Sequence, residues 1–229
     1  HTLILADKLV HASLIDGIRL SAAKCIRYRH NGLTQLERLL EEHHTTHHRV
    51  IIVTESIFSM DGDQADLQKL TELKRKYDNV LLYVDEAHAF GVRGRQGLGC
   101  AEEFHCIHDI DFLVGTFGKA AASVGAYIVC KKVIREYLVN RMRTLIFTTG
   151  LPPVNIAWTL FIVRRLADMQ ERRKHLAHIS RTLREALQVR GYTCPSVSHI
   201  VPMIIGPSAD TVLQAEALQR HGFYALPVR

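Results

Sequence analysis

Two apolar runs in this chain end in residues that can do chemistry. Val80-Leu81-Leu82-Tyr83-Val84 leads into Asp85-Glu86-Ala87-His88, and Asp111-Phe112-Leu113-Val114-Gly115 leads into Thr116-Phe117-Gly118-Lys119. If both runs are buried strands of one sheet, they deliver a carboxylate, an imidazole, a hydroxyl and an amine to a single edge.

That set admits two chemistries. An amine can bond the aldehyde of pyridoxal 5'-phosphate, a carboxylate can pair with its protonated ring nitrogen, and the histidine and threonine can reach other cofactor oxygens. Alternatively, Val84-Asp85-Glu86-Ala87-His88 matches a DEAH-type Walker B segment of nucleic-acid ATPases, whose carboxylates hold magnesium and activate water. That class needs an upstream GxxxxGK[ST] loop to cradle phosphates. No such loop occurs: Gly115 and Gly118 have the wrong spacing, Lys119 is followed by Ala120, and the segment lies after the DEAH residues. The ATPase is therefore the remote alternative.

The elements that must position these residues read as alternating strands and helices. Strands are expected over residues 3–7, 25–29, 50–53, 80–84, 111–115 and 124–129. Helices are expected from Leu14 to Leu20 and over 33–42, 67–77, 132–141, 152–190 and 210–220, with a further strand over 198–205. Val50-Ile51-Ile52-Val53 is continuous and β-branched, the mark of a strand covered on both faces. The fold class is thus α/β, a mostly parallel sheet flanked by helices. His11, Ser59, Asp85, His88, Thr116 and Lys119 all closely follow strand-like runs, where such sheets collect ligands.

Several tempting motifs have plainer readings. The histidines at 43, 44, 47 and 48 fall between a helix and a strand, so a connecting loop outweighs a metal site. Asp61-Gly62-Asp63 lacks the rest of a calcium-loop series and reads as a turn. Gly91, Gly94, Gly97 and Gly99 form a flexible link without a GxGxxG fingerprint. His11 alone would cap a strand-to-helix turn, and Ser59 and Thr116 alone would be turn residues.

Composition limits the rest. A chain of 229 residues, 47% hydrophobic, buries one large core or a domain and a half. No apolar run is long enough to cross a bilayer, and the N-terminus carries no signal pattern, so a cytoplasmic protein with no membrane partner is expected. Five scattered cysteines without a CxxC pair indicate reduced thiols. The net charge of +6 favours anionic partners, but the basic residues are dispersed, and nucleic acid is not expected.

Taken together, His11-Ala12-Ser13, Arg29-His30-Asn31, Thr54-Glu55 with Phe58-Ser59-Met60-Asp61-Gly62-Asp63, Asp85-Glu86-Ala87-His88 and Thr116-Phe117-Gly118-Lys119 resemble the α-oxoamine synthases in order along nearly the whole chain. These are fold-type I pyridoxal-phosphate enzymes that condense an amino acid with an acyl-CoA and release carbon dioxide. The stretches 144–149, 151–153 and 224–229 resemble the branch that joins L-alanine to a pimeloyl thioester in biotin biosynthesis. The acyl carrier is coenzyme A or an acyl-carrier protein. Glycine C-acetyltransferase and serine palmitoyltransferase share the core motifs and are the nearer alternatives.

The resemblance implies a role for each residue. Lys119 would bond the cofactor aldehyde and later act as base; Asp85 would pair with the pyridine nitrogen. His88 and Ser59 would bind the phenolic oxygen, and His11 would stack on the ring. Thr116 would bind phosphate, with Thr148 and Thr149 reaching the phosphate of a neighbouring subunit, which makes a homodimer the expected unit. Glu55 matches an acidic family position whose role the motif does not define. Where Ala122 stands, the family commonly has glycine, which bears on the turn behind Lys119.

Residues 1–170 would form the large cofactor-binding domain without its N-terminal part, and 171–229 the start of a smaller C-terminal domain. A glycine-rich phosphate segment upstream and a carboxylate-binding arginine downstream are expected outside this stretch, so the 229 residues alone are expected to bind cofactor weakly and to be inactive. A cofactor-free scaffold that keeps the fold is the third reading.

Overall fold

The computed structural model describes residues 1–228; Arg229, the last residue of the 224–229 motif, lies outside the described residues. Six strands form one sheet: β1 (Thr2–Asp7), β2 (Lys24–Tyr28), β3 (Arg49–Glu55), β4 (Val80–Asp85), β5 (Phe112–Thr116) and β6 (Ala126–Val129), in the order β2-β1-β3-β4-β5-β6. All neighbours pair in parallel except β5 and β6, which are antiparallel. The chain steps outward from β1 to β2, then returns past β1 to β3. The carboxyl ends of β1 and β3 therefore flank a topological switch point, where α/β sheets open a crevice.

The strands form because their residues are apolar on both faces. Leu3, Leu5, Val50, Ile52, Leu82 and Val84 are wholly or almost wholly buried, and each such side chain stabilises the fold by roughly 1.5–3 kcal/mol. Helices α1 (Ala12–Leu20), α2 (Leu33–His43) and α3 (Leu67–Arg75) follow β1, β2 and β3. α2 buries Leu36, Leu39 and Leu40; α3 buries Leu67, Leu70 and Leu73 and starts at Asp66, whose carboxylate caps the Lys69 N–H at 2.9 Å.

The glycine-bearing link after β4 is ordered rather than flexible. The Gly91 N–H donates to the Gly97 carbonyl at 2.7 Å, the Gly99 N–H to Arg93 at 3.0 Å, and Glu102 accepts from the N–H groups of Gln96 and Leu98. A short helix, α4 (Cys100–Glu103), follows.

Beyond β6 lie α5 (Lys132–Arg141), α6 (Arg143–Ile146), α7 (Pro153–Arg165), α8 (Gln170–Val189) and α9 (Ser208–Arg220). Two expectations fail here. The single helix expected over 152–190 is broken by a 3-10 turn, Leu166–Met169, where Leu166 is drawn into a small cluster with Phe90 and Ala121. Residues 198–205 form no strand, because among the described residues no strand lies beside them to complete a ladder. Instead Ser196 and Val197 bond the Gly62 carbonyl.

All five cysteines are free. Among the described residues, no helix is long and apolar enough to cross a membrane.

Candidate active site

The carboxyl ends of β1, β3, β4 and β5 share one edge of the sheet, and the chemistry-bearing residues leave from that edge. His11 follows β1, Glu55 and Ser59 end and follow β3, Asp85 and His88 end and follow β4, and Lys119 follows β5. Glu55 and Asp85 are register partners in the β3–β4 ladder, which places two carboxylates side by side.

Asp85 uses Oδ1 to accept the Ala87 N–H at 2.7 Å, a strand-end turn. Burial raises its pKa, opposed by the Ala87 N–H and by the Lys119 and His11 side chains. A half-buried carboxylate in this state gains from a cationic N–H placed against its free oxygen. His88 stays neutral: burial, reinforced by Lys119, His199 and His11, lowers its pKa to about 4. A neutral imidazole can donate from one nitrogen and accept at the other.

Lys119 is exposed, and its charge is felt by Glu55, Asp85 and His88 alike. Its loop is tightly built. The N–H of Phe117 and the hydroxyl of Thr116 both donate to the Gly125 carbonyl, at 2.9 and 3.1 Å, and the Ala122 N–H donates back to Lys119 at 2.9 Å. Helix α7 braces the loop through Trp158 Nε1, 3.0 Å from the Ala121 carbonyl, and through Thr159, whose hydroxyl lies 2.8 Å from that of Ser123. Ala122 takes a left-handed φ of 48°, the conformation that favours glycine.

His11 caps α1: its Nδ1 accepts the Ser13 N–H at 3.2 Å and lies 2.8 Å from the Ser13 hydroxyl. The cap fixes the imidazole and leaves the ring exposed, so capping and stacking are compatible roles for one residue. Its backbone N–H donates to Glu55 Oε1 at 2.5 Å. Glu55 is almost fully buried, and burial together with the charge of Asp85 raises its pKa to about 7. Ser59 is half-buried at the tip of the loop between β3 and α3.

The threonines sit differently. Thr116 spends its hydroxyl on the turn, donating to Gly125 and accepting the Gly118 N–H at 3.1 Å. Thr148 and Thr149 are exposed in the segment after α6.

Three groups at or behind this edge have roles that the sequence did not reveal. Glu86, fully buried, accepts from the Ser56 hydroxyl at 2.5 Å and from the N–H groups of Cys100 and Ala101 at 3.1 and 2.7 Å. It thereby ties the glycine link to β3, and a carboxylate so occupied is unavailable to magnesium or water, which removes the ATPase reading. His199 is half-buried, with Nδ1 enclosed and unpaired. Asp7, His30 and Asp63 form a hydrogen-bonded chain. Glu86 stood in the Asp85-Glu86-Ala87-His88 motif and His30 and Asp63 in the Arg29-His30-Asn31 and Asp61-Gly62-Asp63 motifs, while His199 left no sequence trace.

The donor set fits pyridoxal 5'-phosphate: an exposed amine, a half-buried carboxylate with a free oxygen, a neutral imidazole and a second imidazole with an open face. The same group is present in similar proteins. A family model described as aminotransferase class I and II matches residues 1–229. The putative 8-amino-7-oxononanoate synthase of Glaesserella parasuis is 59% identical over all of this chain, which spans 60% of that relative. A serine palmitoyltransferase variant from S. paucimobilis with bound PLP and myriocin superposes with a TM-score of 0.91 at 28% identity, over 98% of this chain and 58% of that one. The 8-amino-7-oxononanoate synthase of Francisella tularensis gives 0.86 at 30% identity, over 98% and 65%. The fold is that of the fold-type I pyridoxal-phosphate transferases.

Proposed function

The chain belongs to the aminotransferase class I and II family, and from that premise we propose that it is the core of an 8-amino-7-oxononanoate synthase. The reaction joins L-alanine to a pimeloyl thioester of coenzyme A or acyl-carrier protein. It yields the α-oxoamine, the free thiol carrier and carbon dioxide. The observation that carries the reading is the single electrostatic neighbourhood of Lys119, Asp85, Glu55 and His88 at the switch-point edge.

Pyridoxal 5'-phosphate, when bound, supplies an electron sink for the bond broken at the amino acid's α-carbon. Lys119 Nζ would hold the cofactor's aldehyde group and serve as the base at the substrate α-carbon. Asp85 Oδ2 would accept from the pyridine nitrogen and favour its protonated form. His88 and Ser59 would hydrogen-bond the phenolic oxygen, His88 as a neutral imidazole able to donate. His11, fixed by Ser13 and Glu55, would lie against the pyridine ring. Thr116, whose hydroxyl donates to Gly125, would shape the loop beside the phosphate, and Thr148 and Thr149 would serve the phosphate of a partner subunit in a cytoplasmic homodimer.

Residues 1–170 belong to the large domain and 171–229 to the beginning of the small one. The chain spans about 60% of the curated relatives' length, so the remaining ligands of phosphate and substrate carboxylate come from elsewhere in the protein. The 54–59% identity to curated relatives named 8-amino-7-oxononanoate synthase favours alanine as the amino acid.

The test is an assay of thiol release by the full-length protein with alanine, glycine or serine against several acyl thioesters. Release confined to alanine with the pimeloyl thioester is expected; preference for serine with a long acyl chain would move the protein to another branch.

A further inference from the structure

We infer that His30, held as an imidazolium between Asp7 and Asp63, is a positioning residue that fixes the Ser59 loop against the end of β1 leading to His11. The inference rests on the reading that Ser59 and His11 hold the cofactor, and it concerns what holds them in turn.

The geometry requires two ring protons. His30 Nδ1 lies 2.9 Å from Asp7 Oδ1, and Nε2 lies 2.6 Å from Asp63 Oδ2. A neutral imidazole has a lone pair on one nitrogen, which would then face a carboxylate oxygen. A ring protonated on both nitrogens instead makes two charge-assisted bonds in line.

Each end of this chain is anchored in a different segment. Asp7, the last residue of β1, is fully buried and also accepts from the N–H groups of Leu9 and Asn31, both at 2.8 Å. Asp63 accepts from Asn31 Nδ2 at 2.8 Å, and its carbonyl accepts the Phe58 N–H at 3.0 Å. The Gly62 N–H returns to the Phe58 carbonyl at 3.0 Å, and Ile57 pairs with Gln64, so residues 57–64 form a closed turn with Ser59 at its tip. The Phe58 ring packs edge-on against His30, centroids 4.4 Å apart, and shields the bonds from water.

His30 thus joins the end of β1, the end of β2 and the Ser59 turn. Asp7 from β1 and Asp63 from the turn are the ionisable groups that face it. Burial works against the cation, but the two carboxylates outweigh it and raise its pKa. While both carboxylates are ionised, the clamp is therefore in place below the imidazole's ordinary pKa and released as pH rises through the raised value.

Two arms on the full-length protein test this. In the cofactor-free protein, heteronuclear NMR at neutral pH should show His30 protonated on both nitrogens. In His30→Gln, amide exchange of Phe58 and Gly62 should accelerate while that of Leu70 in α3 does not. In the second arm, pyridoxal phosphate should bind His30→Gln about tenfold more weakly, the factor set by losing one charge-assisted bond of ~1.4 kcal/mol. Wild-type affinity should fall with rising pH where the variant's does not.

Adding Asp63→Asn to His30→Gln should recover part of the loss, because the pair is coupled. A neutral ring at neutral pH overturns the clamp, whether or not the variant folds. Unchanged exchange of Phe58 and Gly62 in a folded variant also overturns it. A wild-type protein that shows the protonated ring yet binds no cofactor overturns the assignment of Ser59 and His11 instead, and with it the purpose given to the clamp.

Discussion

The carboxylate of Glu55 accepts the backbone N–H of His11 at 2.5 Å, joining the end of β3 to the turn after β1 across the switch point of the sheet. The family motif marks Glu55 without explaining it; the bond supplies a reason. It sets the entry to α1 and so the pose of the His11 ring, while adding a second carboxylate beside Asp85.

Glu55 makes stability depend on pH. Its pKa rises from 4.5 to about 7, first by burial and then by Asp85, so the native state holds a proton that the unfolded chain releases. Its contribution is complete below about 4.5 and is lost as pH rises through about 7, a change on the order of 3 kcal/mol. His88, lowered to about 4, titrates in the opposite sense over part of that window. The comparison is therefore between wild type and Glu55→Gln: denaturant midpoints measured from acid to neutral pH should lose this component in the variant. Parallel curves would contradict it.

Glu86 is structural and should behave so. Truncation by Glu86→Ala strands three donors, from Ser56, Cys100 and Ala101, at a cost of roughly 3–5 kcal/mol. Gly99→Ala should also destabilise, because its φ is 110° and a Cβ there would meet the Glu86 carboxylate at 2.7 Å. Thermal unfolding of both variants checks the point; near-wild-type midpoints would show that the cage is not needed.

Ala122 occupies a left-handed conformation with φ of 48°, where an L side chain is strained by roughly 1–2 kcal/mol. Ala122→Gly relieves that strain but gives the unfolded chain more freedom, so a net gain of about 0.5–1 kcal/mol is expected. Calorimetry on the two proteins measures it. A lower midpoint in the glycine variant would mean that the loop behind Lys119 is not strained at this residue.

The sequence made some of this legible and hid the rest for physical reasons. The β-branched run at Val50–Val53 and the leucine spacing of α3 are local signals, and both elements lie where they were expected. Asp85, His88 and Lys119 stood out because each closely follows an apolar run. The segment 198–205 carries the apolar run Ile200–Ile205 that reads as a strand, but a strand exists only by pairing, and no strand lies beside it among the described residues. Glu55, Glu86 and the Asp7–His30–Asp63 chain were opaque because their partners lie far along the chain. Only the sheet brings them together.

Asp85→Asn should separate chemistry from binding. The amide keeps the shape and can still accept a hydrogen bond, but it no longer favours a protonated pyridine nitrogen. In the full-length enzyme kcat should drop by about a hundredfold or more, ~2.7 kcal/mol of transition-state stabilisation, with a smaller change in cofactor affinity. Steady-state kinetics at saturating cofactor distinguish this from a simple binding defect, in which kcat would recover.

The central claim is that Lys119 holds pyridoxal 5'-phosphate covalently at the sheet edge. The direct measurement is the visible absorption spectrum of full-length protein after cofactor addition and removal of excess, compared with Lys119→Ala. The account predicts a protein-bound band in the wild type that is absent from the variant. A wild type without the band, or a variant that retains it unchanged, would contradict it.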